Sequence, residues 1–333
     1  MKHLSPSCWF QVMRLCGLCF LPLWADAQTV ALKPVETGLR VEIDGQLFTE
    51  YVVKDVPRPF MHPIIGAGGV SVVRDFPMKK DTPGEEKRFL NEPHHRALWF
   101  AHGKVNGIDF WSEHLVFGRQ EHIGFSDLKA TGNRGAFRTQ TKWVAPTGQS
   151  VMTDERRITI VALPAGEKTI DFEITLKATE GEVILGDTKE GTMALRLCPS
   201  LSLNSSRGGI STGPSTGHAF NSNGERDKDI WGKRANWACY YGPDPKGNAV
   251  GVVIFSHPDN LRSPTPWHAR DYGLFSVNPF GLHDFDPSTP AGAGDYRIKK
   301  GDRLTLRYRF YFAKGTPQPE ALEKRFQQYA QGK

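Results

Sequence analysis

Long apolar runs are scarce in this chain of 333 residues. The apolar run near the N-terminus, residues 15–24, is about half as long as the roughly 20 residues that a membrane-spanning helix needs. No later segment is long and apolar enough to take that role. We therefore expect a protein that is not an integral membrane protein.

Blocks of basic residues are missing as well. Lysine and arginine total 42 against 36 aspartates and glutamates, a formal net charge of +6, and the basic residues are scattered along the chain. Proteins that bind nucleic acids usually gather such residues into a patch or stripe. The sequence therefore predicts no nucleic-acid partner and favours a small neutral or acidic one.

Cysteine is rare, with 5 in the chain. Only Cys198 and Cys239 lie beyond residue 27. In an oxidising compartment this pair could form a disulfide. Two buried thiols would give the same sequence pattern, so both alternatives remain open.

The N-terminal segment has the pattern of an export signal. Lys2 and Arg14 supply positive charge ahead of the apolar run. Ala25 and Ala27 follow that run and form a small-x-small cleavage pattern. We expect residues 1–27 to be a signal peptide and residues 28–333 to form a single exported domain. Its place would be periplasmic or extracellular.

The pattern that dominates the mature chain is alternation of apolar and polar residues. Segments 170–178 and 304–312 alternate strictly, which indicates strands with one buried face. Asp44-Gly45 between two apolar segments predicts a hairpin, because both turn positions need positive φ. The further strands that we predict lie at 69–74, 134–144, 151–162, 193–198 and 248–256, and the last is apolar on both faces.

Helix signals are nearly confined to the C-terminus. Leu322, Phe326 and Tyr329 repeat at helical spacing after Thr316-Pro317. The predicted fold class is therefore all-β: a large antiparallel β-sandwich with a short C-terminal helix. Segments 77–93 and 208–229 are predicted surface loops, the second a candidate lid.

Residues 94–114 hold the densest group of titratable and aromatic side chains. If 94–102 is a regular strand, His94, Arg96 and His102 share one face. His95 and His114 are interpreted as core or edge histidines. The Asn106-Gly107 turn would fold the segment back on itself, and this hairpin would bring Asp109, Trp111 and Glu113 to the same cleft.

Such a cleft suits a sugar, because an indole covers the C–H face of a pyranose while charged groups bind its hydroxyls. Imidazoles and carboxylates with tuned pKa values can also move protons. His94, His102 and Glu113 would equally be acceptable ligands for a divalent metal ion, although their spacing matches no known ligand pattern.

Two more segments are candidates. Residues 186–191 form a glycine-bounded polar turn with Asp187, Lys189 and Glu190, which fits either ligand binding or a plain surface turn. Residues 264–271 present Trp267, His268 and Arg270 on a proline-stiffened loop. A further cluster at 231–237 could border the same cleft or close the core, and we favour the second interpretation.

These motifs resemble the domain-of-unknown-function family 6807, whose members often carry the label "methane oxygenase PmoA". The segments that carry the resemblance are 92–103 (EPHHRALWFAHG), 106–113 (NGIDFWSE), 186–191 (GDTKEG), 231–237 (WGKRANW) and 266–273 (PWHARDYG). Where the family pattern has Asp-His before Pro-His-His-Arg, this chain has Asn91-Glu92. The resemblance implies a galactose-mutarotase-like supersandwich and an association with sugar metabolism. It assigns no catalytic residues.

The leading hypothesis is a carbohydrate-active enzyme of the hydrolase, lyase or epimerase type. Glu113 or His268 would be the acid or base, and His94 and His102 would relay protons. The residues predicted to bind the sugar are Arg96, Asp109, Trp111, Asp187, Lys189, Glu190, Trp267 and Arg270. The alternatives are a non-catalytic glycan-binding protein and a metal-dependent oxygenase; no cofactor is otherwise predicted.

Overall fold

Antiparallel strands dominate the computed structural model, which describes residues 1–3, 28–82, 85, 92–203, 206–207, 210–211 and 215–332. The strands in chain order are β1 Val30–Val35, β2 Gly38–Ile43, β3 Gln46–Val52, β4 Phe60–His62, β5 Leu98–His102, β6 Arg119–Thr131, β7 Arg134–Val144, β8 Ser150–Ala162, β9 Lys168–Lys177, β10 Val183–Leu185, β11 Gly191–Arg196, β12 Ser206–Arg207, β13 Ile210–Ser211, β14 His218–Asn221, β15 Arg234–Ala235, β16 Trp237–Pro243, β17 Ala249–Ser256, β18 Thr265–Ala269, β19 Leu274–Val277, β20 Tyr296–Ile298 and β21 Arg303–Lys314.

Helices are few. The α-helices are α1 Leu282–Phe285 and α2 Pro319–Ala330, and short 3₁₀ turns occupy Pro164–Gly166, Pro199–Leu201 and Asp227–Ile230. In the part of the chain that the structure describes, neither α-helix is long and apolar enough to cross a membrane.

Two large sheets organise these strands. The first sheet has the order β1-β2-β3-β4-β5-β11-β19-β18-β15, and the second has the order β14-β16-β17-β21-β9-β8-β7-β6. Strands β10 and β20 form a separate pair, as do β12 and β13. Because neighbouring strands of both large sheets run antiparallel, hairpins and short loops connect most of them.

The inner faces of the two sheets meet in one apolar core. Phe48 of the first sheet contacts Phe312 of the second with ring centroids 6.1 Å apart, and Tyr51 contacts Phe137 at 5.6 Å. Edge-on ring contacts of this kind are favourable beyond the area that they bury. The predicted antiparallel β-sandwich with a short C-terminal helix is confirmed.

A buried polar network also crosses this core. Arg156 of β8 donates to both carboxylate oxygens of Asp154 at 2.9 Å, to the Tyr51 hydroxyl at 3.1 Å and to the Gln120 side-chain oxygen at 2.6 Å. The Trp143 indole N–H donates to the same Asp154 carboxylate at 2.7 Å. Burial of these charges is costly unless each is paired. In this network the Asp154 carboxylate and the Arg156 guanidinium pair with each other, and both have further hydrogen-bond partners.

Strand β17 is covered on both sides, as its apolar sequence predicts. Val252 and Ile254 face the core between the sheets, whereas Val253 and Phe255 face outward. The outward face packs against the helix α2 through Leu322 and Phe326. The amphipathic spacing of the C-terminal segment thus serves to cover the second sheet.

Several strand predictions are confirmed, and one is wrong. Strands match the alternating segments near 170–178 and 304–312, and Asp44 and Gly45 take φ of 52° and 73° in the β2–β3 turn. Segment 69–74 is not a strand: it makes only isolated bridges, such as Ile65 with Ser71.

Other expectations have mixed outcomes. Cys198 and Cys239 are both buried and free, so they form no disulfide. Most of the predicted signal peptide, residues 4–27, lies outside the described residues, as do parts of the predicted loops 77–93 and 208–229. Within the second loop, β14 is a strand of the second sheet rather than irregular chain.

Candidate functional site

The candidate site is a cavity of about 470 Å³ beside the outer face of the first sheet. A small apolar cluster that includes Trp99, Ala194 and Leu274 covers this part of the sheet, and Trp111 packs on it with its ring 5.0 Å from Trp99. The cavity is lined by Glu92, His94, His95, Gly103, Asp109, Trp111, Ser112, His114, Lys189, Glu190, His268, Arg270 and Tyr272. Segments 94–114 and 264–271 therefore do meet at one cavity.

Strand alternation decides which residues of β18 reach the cavity. Trp267 and Ala269 belong to the core between the sheets, and the Trp267 indole N–H donates to the Ala235 carbonyl at 3.1 Å. His268 lies between them in sequence and therefore projects to the opposite, outer face. The structure thus places His268 at the cavity but makes Trp267, which we predicted to bind the sugar, a core residue.

The segment before β5 is not a strand, which corrects the predicted face. The strand starts at Leu98, and Ala97 has a φ of 55°, so the chain turns before it. His94 and His95 lie at the cavity with ring centroids 4.3 Å apart, and His95 stacks on Trp99 at 5.4 Å.

His102 is separated from this group. It is fully buried, its Nε2 lies 2.8 Å from the Gly186 carbonyl, and its ring packs 4.9 Å from Phe280 of the core. The predicted relay role of His102 is therefore not supported by its position. Its contacts are those of a core histidine.

The Asn106-Gly107 turn forms as predicted. Asn106 and Gly107 have φ of 50° and 79°, and Val105 and Ile108 exchange backbone hydrogen bonds across it. The chain then reaches Asp109, whose carboxylate accepts the backbone N–H of Trp111 at 2.7 Å. Ser112 adds its backbone N–H and hydroxyl to the same carboxylate. Asp109 thus lines the cavity and also fixes the turn that presents Trp111.

Glu113 does not line the cavity. Both its carboxylate oxygens accept hydrogen bonds from Arg96 at 2.7 Å, and Arg58 donates to it at 3.0 Å. The fully buried Arg58 also donates to the carbonyls of His94 and Ser112. This ion-pair cluster ties together the two segments that form the cavity. Neither Arg96 nor Glu113 is placed to act on a ligand there.

We expect Glu113→Gln to destabilise the fold. The pKa of Arg58 is already lowered to about 10, chiefly by burial, while Glu113 favours its charged form. Removing one partner of a buried ion pair costs about 3–5 kcal/mol of stability. Because the glutamine amide can still accept a hydrogen bond from an arginine, the loss should lie at the lower end of this range. Urea denaturation measures the change.

A matched control is Glu182→Gln, which breaks only the exposed pair with Arg297 and should cost about 0–1 kcal/mol. If Glu113→Gln kept wild-type stability and lost activity, the sequence-based assignment of Glu113 as an acid or base would stand instead.

The turn at 186–191 divides between the site and the scaffold. Lys189 and Glu190 line the cavity and form an exposed ion pair at 3.2 Å. Asp187 points elsewhere, since its carboxylate accepts the backbone N–H groups of His283 and Gly294. Asp187 therefore anchors a neighbouring loop and does not reach a ligand in this cavity.

Burial keeps His94, His95 and His268 neutral. Desolvation lowers the pKa of His94 to about 4, an effect that the nearby Arg58 reinforces. Desolvation also lowers the pKa of His268 to about 3, and the charges of Arg270 and Lys189 add to it. Desolvation is also the main cause that lowers the pKa of His95 well below its usual value. Near neutral pH these imidazoles can accept a proton.

Some polar groups at the cavity have no protein partner. Among the described residues, neither the buried indole N–H of Trp111 nor the buried Nδ1 of His268 has a hydrogen-bond partner. Arg270 packs against the rings of Trp231 and Tyr272 and forms no ion pair within the described ranges. Buried polar groups are normally satisfied, so these atoms indicate where a polar ligand would bind.

The predicted metal ligands do not assemble. His94 lies at the cavity, His102 lies in the core and Glu113 is paired with arginines. In the described part of the chain, no group of three or more His, Cys, Asp or Glu side chains could hold a metal ion. The residues therefore do not fit the proposed metal site.

Sequence reasoning missed six residues that line the cavity: Glu92, His95, Gly103, Ser112, His114 and Tyr272. Glu92 lies 3.2 Å from both Arg196 and His95, and the His95 ring is parallel to Tyr272 at 6.4 Å. Proximity to His94 in the chain is the only sequence signal for His95. Tyr272 lies two residues after Arg270, in the turn between β18 and β19. Its position at the cavity can be predicted only when that turn is recognised.

These features define an antiparallel β-sandwich with a charged, aromatic-lined cavity outside one sheet. The chain belongs to a family of unknown function (DUF6807), whose family model matches residues 38–327. No curated protein matches it. Among solved structures, an α-galactosidase from Lactobacillus brevis is similar with a TM-score of 0.27 and 8% sequence identity. The match covers 86% of this chain and 39% of that chain.

Proposed function

We propose that the protein is a carbohydrate-active enzyme that moves protons on an acidic sugar bound in the 470 Å³ cavity. The observation that carries this proposal is the meeting of neutral imidazoles with unpaired hydrogen-bonding groups in one cavity. A volume of this size is typical of small-ligand sites. The export pattern at the N-terminus supports a place of action outside the cytoplasm.

One cation at the cavity favours an acid over a neutral sugar. Glu92 is paired with Arg196, Glu190 with Lys189, and Asp109 accepts backbone N–H groups. Arg270 has no such partner in the described ranges and lies beside His268, whose pKa it lowers. A guanidinium matches the geometry of a carboxylate, with which it can form two parallel hydrogen bonds. A uronate carboxylate would supply the counter-charge for Arg270.

His268 is the proposed base. It would take the proton from the carbon next to the carboxylate, and the electron pair of the broken C–H bond would move into the carboxyl group as an enolate. Arg270 would stabilise that negative charge. Return of the proton gives exchange or epimerisation, and loss of a glycosidic oxygen from the next carbon gives a lyase product. His94 lines the same cavity and would carry the proton that the leaving oxygen or the other face of the carbon needs.

Proton exchange in D₂O tests this function. The probes are D-galacturonate, D-glucuronate and D-mannuronate, with D-glucose and D-galactose as neutral controls, at millimolar concentration with purified protein. Calorimetry measures binding, and proton NMR measures deuterium incorporation next to the carboxylate. We expect binding and exchange with at least one uronate and neither with the neutral sugars.

The exchange rate should be flat from pH 8 to pH 5 and fall as the pH drops toward 3. The base, His268, must be neutral, and burial lowers its pKa to about 3. Binding without exchange or product would favour the non-catalytic glycan-binding alternative. Absence of both binding and exchange with all five probes would reject the proposed function.

A further inference from the structure

A smaller cavity of about 270 Å³ adjoins the main one across Arg270. It is lined by Lys228, Trp231, Ala269, Arg270 and Asp271, so Arg270 forms a wall of both. The guanidinium carbon lies 6.0 Å from the centre of the Trp231 ring and 5.5 Å from that of Tyr272. The Arg270 side chain therefore lies between Trp231 of the smaller cavity and Tyr272 of the main cavity.

Trp231 is held in place by the strand that carries His268. The Gly232 N–H donates to the Trp267 carbonyl at 2.8 Å, and the Trp267 N–H donates to the Lys233 carbonyl at 3.1 Å. The Trp231 ring also meets Phe285 edge-on at 5.6 Å, and Phe285 lies 6.1 Å from the His268 ring. These contacts fix the distance between Trp231 and the proposed base.

The backbone at Gly232 permits this arrangement. Its φ is 72°, a conformation that side chains other than glycine rarely adopt, and a Cβ atom there would lie 3.2 Å from the Phe285 Cβ. The position of Trp231 is thus set by packing on a rigid strand and not by a free loop.

Trp231 retains surface and a donor for a ligand. The residue is partly exposed, whereas most tryptophans of this chain are buried. Its indole N–H is buried and has no hydrogen-bond partner among the residues that the structure describes. A partly exposed indole ring beside an unpaired donor can pack on the C–H face of a sugar and bind one of its hydroxyls.

We propose that Trp231 forms a second subsite, which binds the sugar residue adjacent to the uronate in the main cavity. The inference rests on the proposed function and names its substrate class: an acidic oligosaccharide rather than a free monosaccharide. Arg270 lies where the two sugar residues join, and the ion pair of Lys228 with Asp271 at 3.8 Å borders the second residue.

Chain-length dependence of binding tests the subsite. The probes are the mono-, di- and trisaccharides of α-1,4-linked D-galacturonate and of β-1,4-linked D-mannuronate, titrated into wild type and Trp231→Ala by calorimetry. For the wild type, we expect the disaccharide of the preferred series to bind about tenfold or more tighter than its monosaccharide, equivalent to about 1.4 kcal/mol. In Trp231→Ala this gain should vanish, while monosaccharide affinity stays within about twofold.

Tyr241→Ala is the matched control, because Tyr241 is also a partly exposed aromatic residue but packs in the cluster of the second sheet. It should keep the full gain with chain length. Equal binding of mono- and disaccharide by the wild type, or an equal loss for both in Trp231→Ala, overturns the subsite and leaves the proposed function intact. No binding or exchange with any uronate overturns both.

Discussion

Replacement of His268 with alanine is expected to lower the rate of deuterium incorporation by a factor of about 10² to 10⁴, the usual contribution of a general base. His268 is almost fully buried at the cavity, and burial with the nearby charges of Arg270 and Lys189 lowers its pKa to about 3. Its removal should therefore abolish most proton transfer.

Imidazole rescue separates chemistry from folding in this variant. The cavity left by His268→Ala has the size and shape of the missing ring, so added imidazole should restore part of the rate. His218→Asn is the control, since His218 is exposed on β14 of the second sheet, and its rate should stay within about twofold of wild type. A His268→Ala protein with wild-type thermal melting and an unchanged rate would disprove the assignment.

Asp154→Ala should lower the free energy of unfolding by about 3–5 kcal/mol. The substitution leaves the Arg156 guanidinium buried without its carboxylate and takes the acceptor from the Trp143 indole. Because Arg156 also binds Tyr51 of the opposite sheet, the loss should weaken the contact between the sheets. Urea denaturation followed by tryptophan fluorescence measures it.

A double variant makes the Asp154 test sharper. Asp154→Ala with Arg156→Met removes both charges, and replacement of a buried pair by apolar groups is often nearly neutral. The double variant should therefore be more stable than Asp154→Ala alone, a coupling that a double-mutant cycle quantifies. Glu121→Ala, which breaks an exposed pair with Lys142, should cost about 0–1 kcal/mol. A similar small effect for Asp154→Ala would refute the role of the network.

The layered fold was accessible from the sequence because two central strands of the second sheet alternate between apolar and polar residues. Strands β9 and β21 lie in the interior of the second sheet with one face on the core, so alternate residues of each strand are buried there. The helix α2 was equally visible, since Leu322, Phe326 and Tyr329 all face the sheet that it covers. These elements depend on patterns within one segment.

The site was accessible only in part, because its residues depend on contacts between distant segments. No sequence pattern near Glu113 predicts its contact with Arg58. Arg58 lies 55 residues away in the chain and neutralises the Glu113 carboxylate. The prolines around β18 suggested a loop, yet the segment pairs with β19 as a strand. Recognition of that strand would have separated Trp267 from His268 by alternation alone.

The placement of the cavity outside the first sheet has a consequence for how this protein can change. Every described residue that lines it comes from β18 or from the turns around β5, β11 and β19, so the second sheet contributes none. Substitutions in those turns can alter the ligand while the opposite layer, with its helix and its arginine network, preserves the fold. Ligand preference and thermal tolerance should therefore be separately adjustable, and variants chosen for each should combine additively.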